Sequence, residues 1–229
     1  MASIIAECNT SDTFNISHHN NLTCVNQEFR PDHQRLLEIL VVICGCLSLL
    51  GSLFIIITFI SFKQLRAPAL RLVLFLSITD FMSTVDYITS IIPSYNTATC
   101  EMYPLCYIQS AFGQFAELSR IFWVSCIAFN LWLIAARGMS EAVANRLQKV
   151  YHGVSWGVPA VTVIIIFATG IYGPAGSWCW IAVDYSIERF FLLYLWLILA
   201  IVFVLLCYIH VGFAVRGSSL AAVVGRLRW

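Results

Sequence analysis

Four ionisable residues stand where ionisable residues are costly. Asp80 and Asp86 lie in one long apolar segment, and Glu117 and Arg120 lie in the next. If these segments cross a bilayer, a charge near its centre costs at least about 2.5–3.5 kcal/mol, so each group needs a partner or a water-filled cavity. Glu117 and Arg120 are three residues apart, which on a helix puts the guanidinium within reach of the carboxylate along one face. Asp80 is ten residues into its segment, about 15 Å deep at 1.5 Å per residue, and offers Arg120 a second partner from an antiparallel neighbour. Two readings of this intramembrane network stand side by side. The groups shape a ligand cavity or differ between two receptor states, or they form a static pair that lets a marginal helix insert and pack.

Thiol oxidation is the second chemistry on offer. Of nine cysteines, Cys44, Cys46, Cys126 and Cys207 fall within apolar segments and read as small buried hydrophobes. Cys8, Cys24, Cys100, Cys106 and Cys179 fall outside those segments or at their ends. With that side extracellular, Cys106 and Cys179 are expected to pair and to tie a loop, flanked by Trp178 and Trp180, across the outer mouth of a bundle. Cys100 has Cys8 and Cys24 as candidate partners, and the sequence does not choose between them. Other chemistries lack their residues: there is no glycine-rich phosphate loop, no HExxH pair and no convincing serine–histidine arrangement. Five histidines are scattered, and the adjacent His18 and His19 have no further ligands for a metal. No enzyme, metal or cofactor is expected. Without a strongly basic stretch, nucleic acid is not an expected partner either.

The elements that must position these groups are five apolar segments, Leu36–Ile60, Leu70–Ile92, Cys106–Ala135, Val150–Ile171 and Phe190–Phe213. Each meets the roughly 20 residues that a helix needs to span about 30 Å of hydrocarbon, and none has the short alternating pattern of a barrel strand. The chain is 60% hydrophobic and only 11% charged, with a mean hydropathy of +0.83, where soluble domains carry about a quarter charged residues. The expected fold is therefore an all-α membrane protein, a multi-pass helical bundle.

Basic residues orient it. Lys63, Arg66 and Arg71 flank the first connection, Arg137, Arg146 and Lys149 the third, and Arg216, Arg226 and Arg228 the tail, whereas the second and fourth connections are poor in basic residues. This alternation places the N-terminus outside and the C-terminus in the cytosol, in a protein of the plasma membrane. Residues 1–35 are then an extracellular segment without a secretory leader, carrying sequons at Asn9, Asn15 and Asn21 as expected glycosylation sites. Residues 36–213 form the five-helix portion, and 214–229 a cytosolic tail or the start of a third cytosolic loop. Ser52, Ser77, Thr79, Ser119, Ser125 and Asn130 suit close approach or hydrogen bonding between helices. Gly157 and Pro159 mark a bend in the fourth span, because proline removes a helix hydrogen bond.

Leu49-Leu50-Gly51-Ser52 in the first span, Leu70 to Asp80 in the second, Ser155-Trp156-Gly157-Val158-Pro159 in the fourth and Ser177-Trp178-Cys179-Trp180-Ile181 in the outer loop carry a resemblance. Over about Leu36 to Arg216 the chain resembles a seven-helix G protein-coupled receptor, in the group of the slime-mould cyclic-AMP receptors near the secretin-like family. Leu133-Ile134-Ala135-Ala136-Arg137 lacks the acidic–arginine–tyrosine triplet of rhodopsin-like receptors. The resemblance implies an extracellular ligand, unidentified, in a cavity opening outward. It also implies a heterotrimeric G protein on a cytosolic face bordered by Arg66, Arg71, Arg137, Arg146 and Lys149, the Cys106–Cys179 disulfide, and Asp80 as the polar core residue of helix two. Trp156, Gly157 and Pro159 match its fourth-helix signature. Five spans of an expected seven leave out the helices that would move and close the pocket. The alternative function is a non-signalling membrane partner that dimerises with the full receptor and alters its trafficking or response.

Overall fold

The apolar segments fold as helices because every backbone polar group in lipid must be paired within its own segment. A computed structural model describes residues 31–65, 67–90, 103–175, 178–182 and 184–226. Helix α1 spans Pro31–Ser61, α2 Pro68–Ser90, α3 Tyr103–Ala135 and α4 Glu141–Thr169. A 3₁₀ turn at Lys63–Leu65 joins the first two. Two short strands, β1 Tyr172–Pro174 and β2 Cys179–Ile181, pair antiparallel with Gly173 opposite Trp180. The last helix, α5, starts as an α turn at Ser186–Arg189, widens to a π turn at Phe190–Tyr194 and continues as α-helix over Leu195–Arg226.

Five of these helical stretches are long and apolar enough to cross a membrane: Ile39–Ser61, Ala69–Thr89, Leu105–Ala135, Arg146–Thr169 and Ser186–Arg216. The protein is thus an all-α, multi-pass membrane bundle. The helices overrun the segments read from hydropathy. α4 begins at Glu141, nine residues before Val150, and α5 runs past Phe213 to Arg226, through much of the stretch expected as a tail or loop. Hydropathy marks where a helix enters lipid, not where its hydrogen bonding begins. α4 ends two residues earlier than Ile171, because Gly170 takes the left-handed conformation at φ 72° and its N–H closes on Ile166 O. Ile92, the expected end of the second span, lies outside the described residues.

α3 is the hub, packing on α2, α4, α5 and both strands. Its apolar window is 39% buried, against 6% for those of α1 and α5, so the outer helices turn most of their Leu, Ile, Val and Phe side chains to lipid. Toward the cytosolic half, Leu72, Trp123, Cys126 and Tyr151 form a core in which Phe75 stacks on Trp123 at 5.0 Å. His152 meets Phe75 edge-on at 4.4 Å and accepts a hydrogen bond from Trp156 Nε1 at Nδ1. Toward the outside, Ile166, Tyr172 and Ile181 form a second core under the strands.

Most hydroxyls in the spans serve their own helix. Ser52, Ser77, Thr79 and Ser125 donate to carbonyls three or four residues back. Two small-side-chain contacts between helices are Thr84 with Ser48, at 3.2 Å, and Cys126 with Ser155. Pro159 is buried inside α4, while a side chain built at Gly157 would meet nothing within 4 Å, so that glycine is not needed for close packing.

Candidate functional site

Along α3, Gln109, Gly113 and Glu117 recur at four-residue spacing and so share one face, which is turned to α2. Gly113 is the notch in that face. A Cβ there would lie 2.3 Å from Oδ2 of Asp86, so only glycine lets the α2 carboxyl group rest on the α3 backbone. One turn deeper, Glu117 is fully engaged. Arg120 Nη2 donates to Oε2 at 2.6 Å, and Tyr87 Oη donates to Oε1 at 2.7 Å. The expected pair therefore forms along one helix face, with an α2 tyrosine completing it.

Asp80 joins it only through its attraction to Arg120, without an ion-pair contact. Among the described residues the one ion pair is Arg120 with Glu117, and Asp80 instead faces Arg120 across a cavity of about 270 Å³ also lined by Ser48, Thr84 and Tyr87. That cavity leaves room for solvent or another group between Asp80 and Arg120. Asp86 is one and a half turns nearer the outer end of α2, and its Oδ1 is buried without a hydrogen-bond partner. The network thus divides into a satisfied pair and two carboxylates that border cavities.

The outer end of α3 and the adjoining face that carries Gln114 build the outer mouth. Cys106 and Cys179 are joined by a disulfide across a sequence separation of 73, fixing β2 to the outer end of α3. Gln114 lies beneath it, fully buried, and uses both ends of its amide. Oε1 accepts from Trp180 Nε1 at 2.6 Å, and Nε2 donates to Leu192 O at 3.1 Å. Leu192 belongs to the π turn, where a carbonyl is displaced from the ordinary α ladder. Arg189 closes the clamp. Its Nε donates to Ile181 O at 2.9 Å, Nη2 donates to the same oxygen, and the guanidinium lies 5.2 Å from the Trp180 ring centroid. Tyr172, in the outer core, is held neutral because burial pushes its hydroxyl pKa well above the usual value, with Tyr107 adding to the effect.

Other expected residues are placed less centrally. Arg71, Arg137, Arg146 and Lys149 are exposed at the ends assigned to the cytosol, with Arg137 over the Trp132 ring at 5.7 Å. Trp156 stacks on Phe115 at 5.8 Å and packs within the aromatic core. Arg66, the sequons at Asn9, Asn15 and Asn21, and Cys8, Cys24 and Cys100 lie outside the described residues. Sequence reading missed Tyr87, Gln109, Gly113, Gln114 and Arg189. The small-and-polar stripe at 109, 113 and 117 is a sequence signal that points to the first face; nothing local marks the π turn.

Membrane-length helices gathered on α3, charges held between two of them and a disulfide-pinned hairpin over their outer end define a receptor-like multi-pass bundle. A family model described as slime mold cyclic AMP receptor matches residues 28–221. The chain belongs to this family, and with it to the G protein-coupled receptor-like proteins. It is 33% identical over 180 residues to human "G-protein coupled receptor 157", covering 75% of this chain and 52% of that protein. It is 29% identical over 192 residues to "Cyclic AMP receptor-like protein A" of Dictyostelium discoideum, covering 84% of this chain and 49% of the relative. "Cyclic AMP receptor 1" of the same organism is 27% identical over 147 residues, 64% of this chain and 36% of the relative. The chain spans about half the length of the curated relatives it matches.

Proposed function

We propose that this chain carries the ligand-sensing part of a G protein-coupled receptor that takes an extracellular ligand from the outer side and signals to a heterotrimeric G protein. The observation that carries the reading is the α2–α3 cleft. A family member keeps Asp80, Asp86, Glu117 and Arg120 inside the membrane, and three of these, Asp80, Asp86 and Arg120, border cavities rather than completing the packing. Charges retained at such cost without a full set of partners suit a ligand or a state change better than a static brace. Cyclic AMP, named in several relatives, is an anion. The cleft offers an anion one guanidinium, already paired with Glu117, so no ligand is carried over from those relatives. The exposed Arg71, Arg137, Arg146 and Lys149 border the surface on which the G protein docks.

The test is G protein dissociation, measured by resonance energy transfer in cells expressing the complete reading frame, across the Gα classes. Dissociation above that of mock-transfected cells supports the reading. No dissociation with any Gα, at normal surface level, overturns it. A second reading, that the 229-residue chain is a membrane partner of a longer receptor, is favoured by Arg120, whose side chain is 42% exposed within a span and so invites another helix. Co-expression with the full receptor is then expected to change its surface level or response, and no change in either removes the partner reading. Asn9, Asn15 and Asn21 belong to the outer segment in both readings, and a glycosidase-sensitive shift in mobility checks it.

A further inference from the structure

We infer that the outer end of the α2–α3 cleft binds a small organic ammonium ion, held by Asp86 and Gln109. The inference begins with two acceptor atoms that lack donors. Gln109 is only 7% exposed, and its Nε2 donates to Asp86 O at 3.5 Å while its Oε1 is buried without a partner. Asp86 Oδ1 is likewise buried and unpartnered. Both residues line one cavity of about 200 Å³ between α2 and α3. Buried acceptors left unmatched are costly, and a cationic donor set between these two would match both and keep the Asp86 carboxyl group ionised.

Among the described residues no group supplies it. The nearest guanidinium, Arg120, is spent on Glu117, whose two oxygens are already taken by Arg120 and Tyr87. The Gly113 notch gives the Asp86 carboxyl group room to rest against the α3 backbone. The remaining cavity wall decides what kind of cation fits. Thr89 adds one more oxygen, its hydroxyl already donating to Asp86 O at 2.9 Å, and the rest is Val85, Leu105, Ile108 and Phe112. Hard metal ions take six or more oxygens, twice what this wall offers. An alkylammonium needs up to three acceptors around its head and apolar cover for its stem, and the Phe112 ring favours a cation at its face. Asp86 is four residues before Ser90, about 6 Å from the described end of α2 on the side assigned to the exterior, within reach of a ligand from outside.

The inference deepens the receptor reading and rests on it for its biological role, but binding is measured without signalling, so the two fail separately. The 229-residue chain in lipid nanodiscs is titrated by saturation-transfer NMR with 2-phenylethylammonium and with its neutral counterpart 2-phenylethanol, after subtraction of partitioning into empty nanodiscs. The ammonium is expected to bind at least about tenfold more tightly than the alcohol, the scale of a hydrogen bond to a charged group. Asp86→Asn, which keeps the side-chain shape, is expected to abolish that preference. Equal binding of the two probes, or an ammonium preference unchanged in Asp86→Asn, overturns the inference. The wild-type comparison decides alone if the variant does not fold.

Discussion

Gly113 and Gln114 are neighbours in sequence, about 100° apart around α3, and their surroundings treat polar groups differently. On the Gln114 side the amide joins the Trp180 indole to the Leu192 carbonyl, the disulfide and Arg189 lock β2 above it, and the Tyr172 hydroxyl is the group left unmatched in the core beneath. On the Gly113 side, Asp86 and Gln109 hold unmatched oxygens and Asp80 borders a cavity. One helix thus carries a finished clamp on one face and an unfinished cleft on the other. A buried network that is fully satisfied gives rigidity, whereas unsatisfied groups cost stability and persist where a ligand or a second state uses them. The clamp is read as structure, and the cleft as the part that responds.

The contrast breaks first at the clamp. Cys106→Ser or Cys179→Ser releases a loop closed over 73 residues and is expected to cost about 2–5 kcal/mol, read as a fall in melting temperature of the chain in nanodiscs. An unchanged melting temperature would remove the structural reading of the mouth. Arg120→Ala strips Glu117 of its cation while Tyr87 still holds one oxygen. Because the arginine is partly exposed, the expected loss is about 1–3 kcal/mol, below that of a fully buried pair, with a reduced receptor response. Surface expression and response both equal to wild type would leave the pair without a role. Gln114→Leu leaves the Trp180 N–H and the Leu192 carbonyl unmatched, for about 1–2 kcal/mol, and sharpens the comparison if melting falls while ammonium binding at Asp86 is kept.

The sequence made the helices legible because lipid permits so few alternatives. Runs of apolar residues at membrane length left little but five spans, and three-residue spacing led straight to the Glu117–Arg120 pair. The disulfide was legible because two thiols on an oxidising side are poor company for one another. The true helix ends were not, since the polar first turns of α4 and the extension of α5 to Arg226 carry no hydropathy signal. How closely Asp80 approaches Arg120 was not legible, because equal depth does not fix the spacing of two helices; the two line one cavity and attract across it without forming an ion pair. The Asp86–Gly113 contact and the π turn at Phe190–Tyr194 depend on the rotation of the helices about their axes and on side chains from distant segments, which spacing along one helix cannot express.

The smallest expected effect on stability is the most telling. Asp86→Asn replaces an unpaired carboxylate with a neutral amide of the same shape, so it is expected to leave stability unchanged or raise it by up to about 1 kcal/mol. Melting temperature and ligand-dependent G protein dissociation, measured together on that variant in the complete reading frame at matched surface level, test the division of labour directly. The account predicts an unchanged or higher melting temperature with the response lost. A melting temperature lowered as far as that of Cys106→Ser, or a response that survives intact, would contradict it.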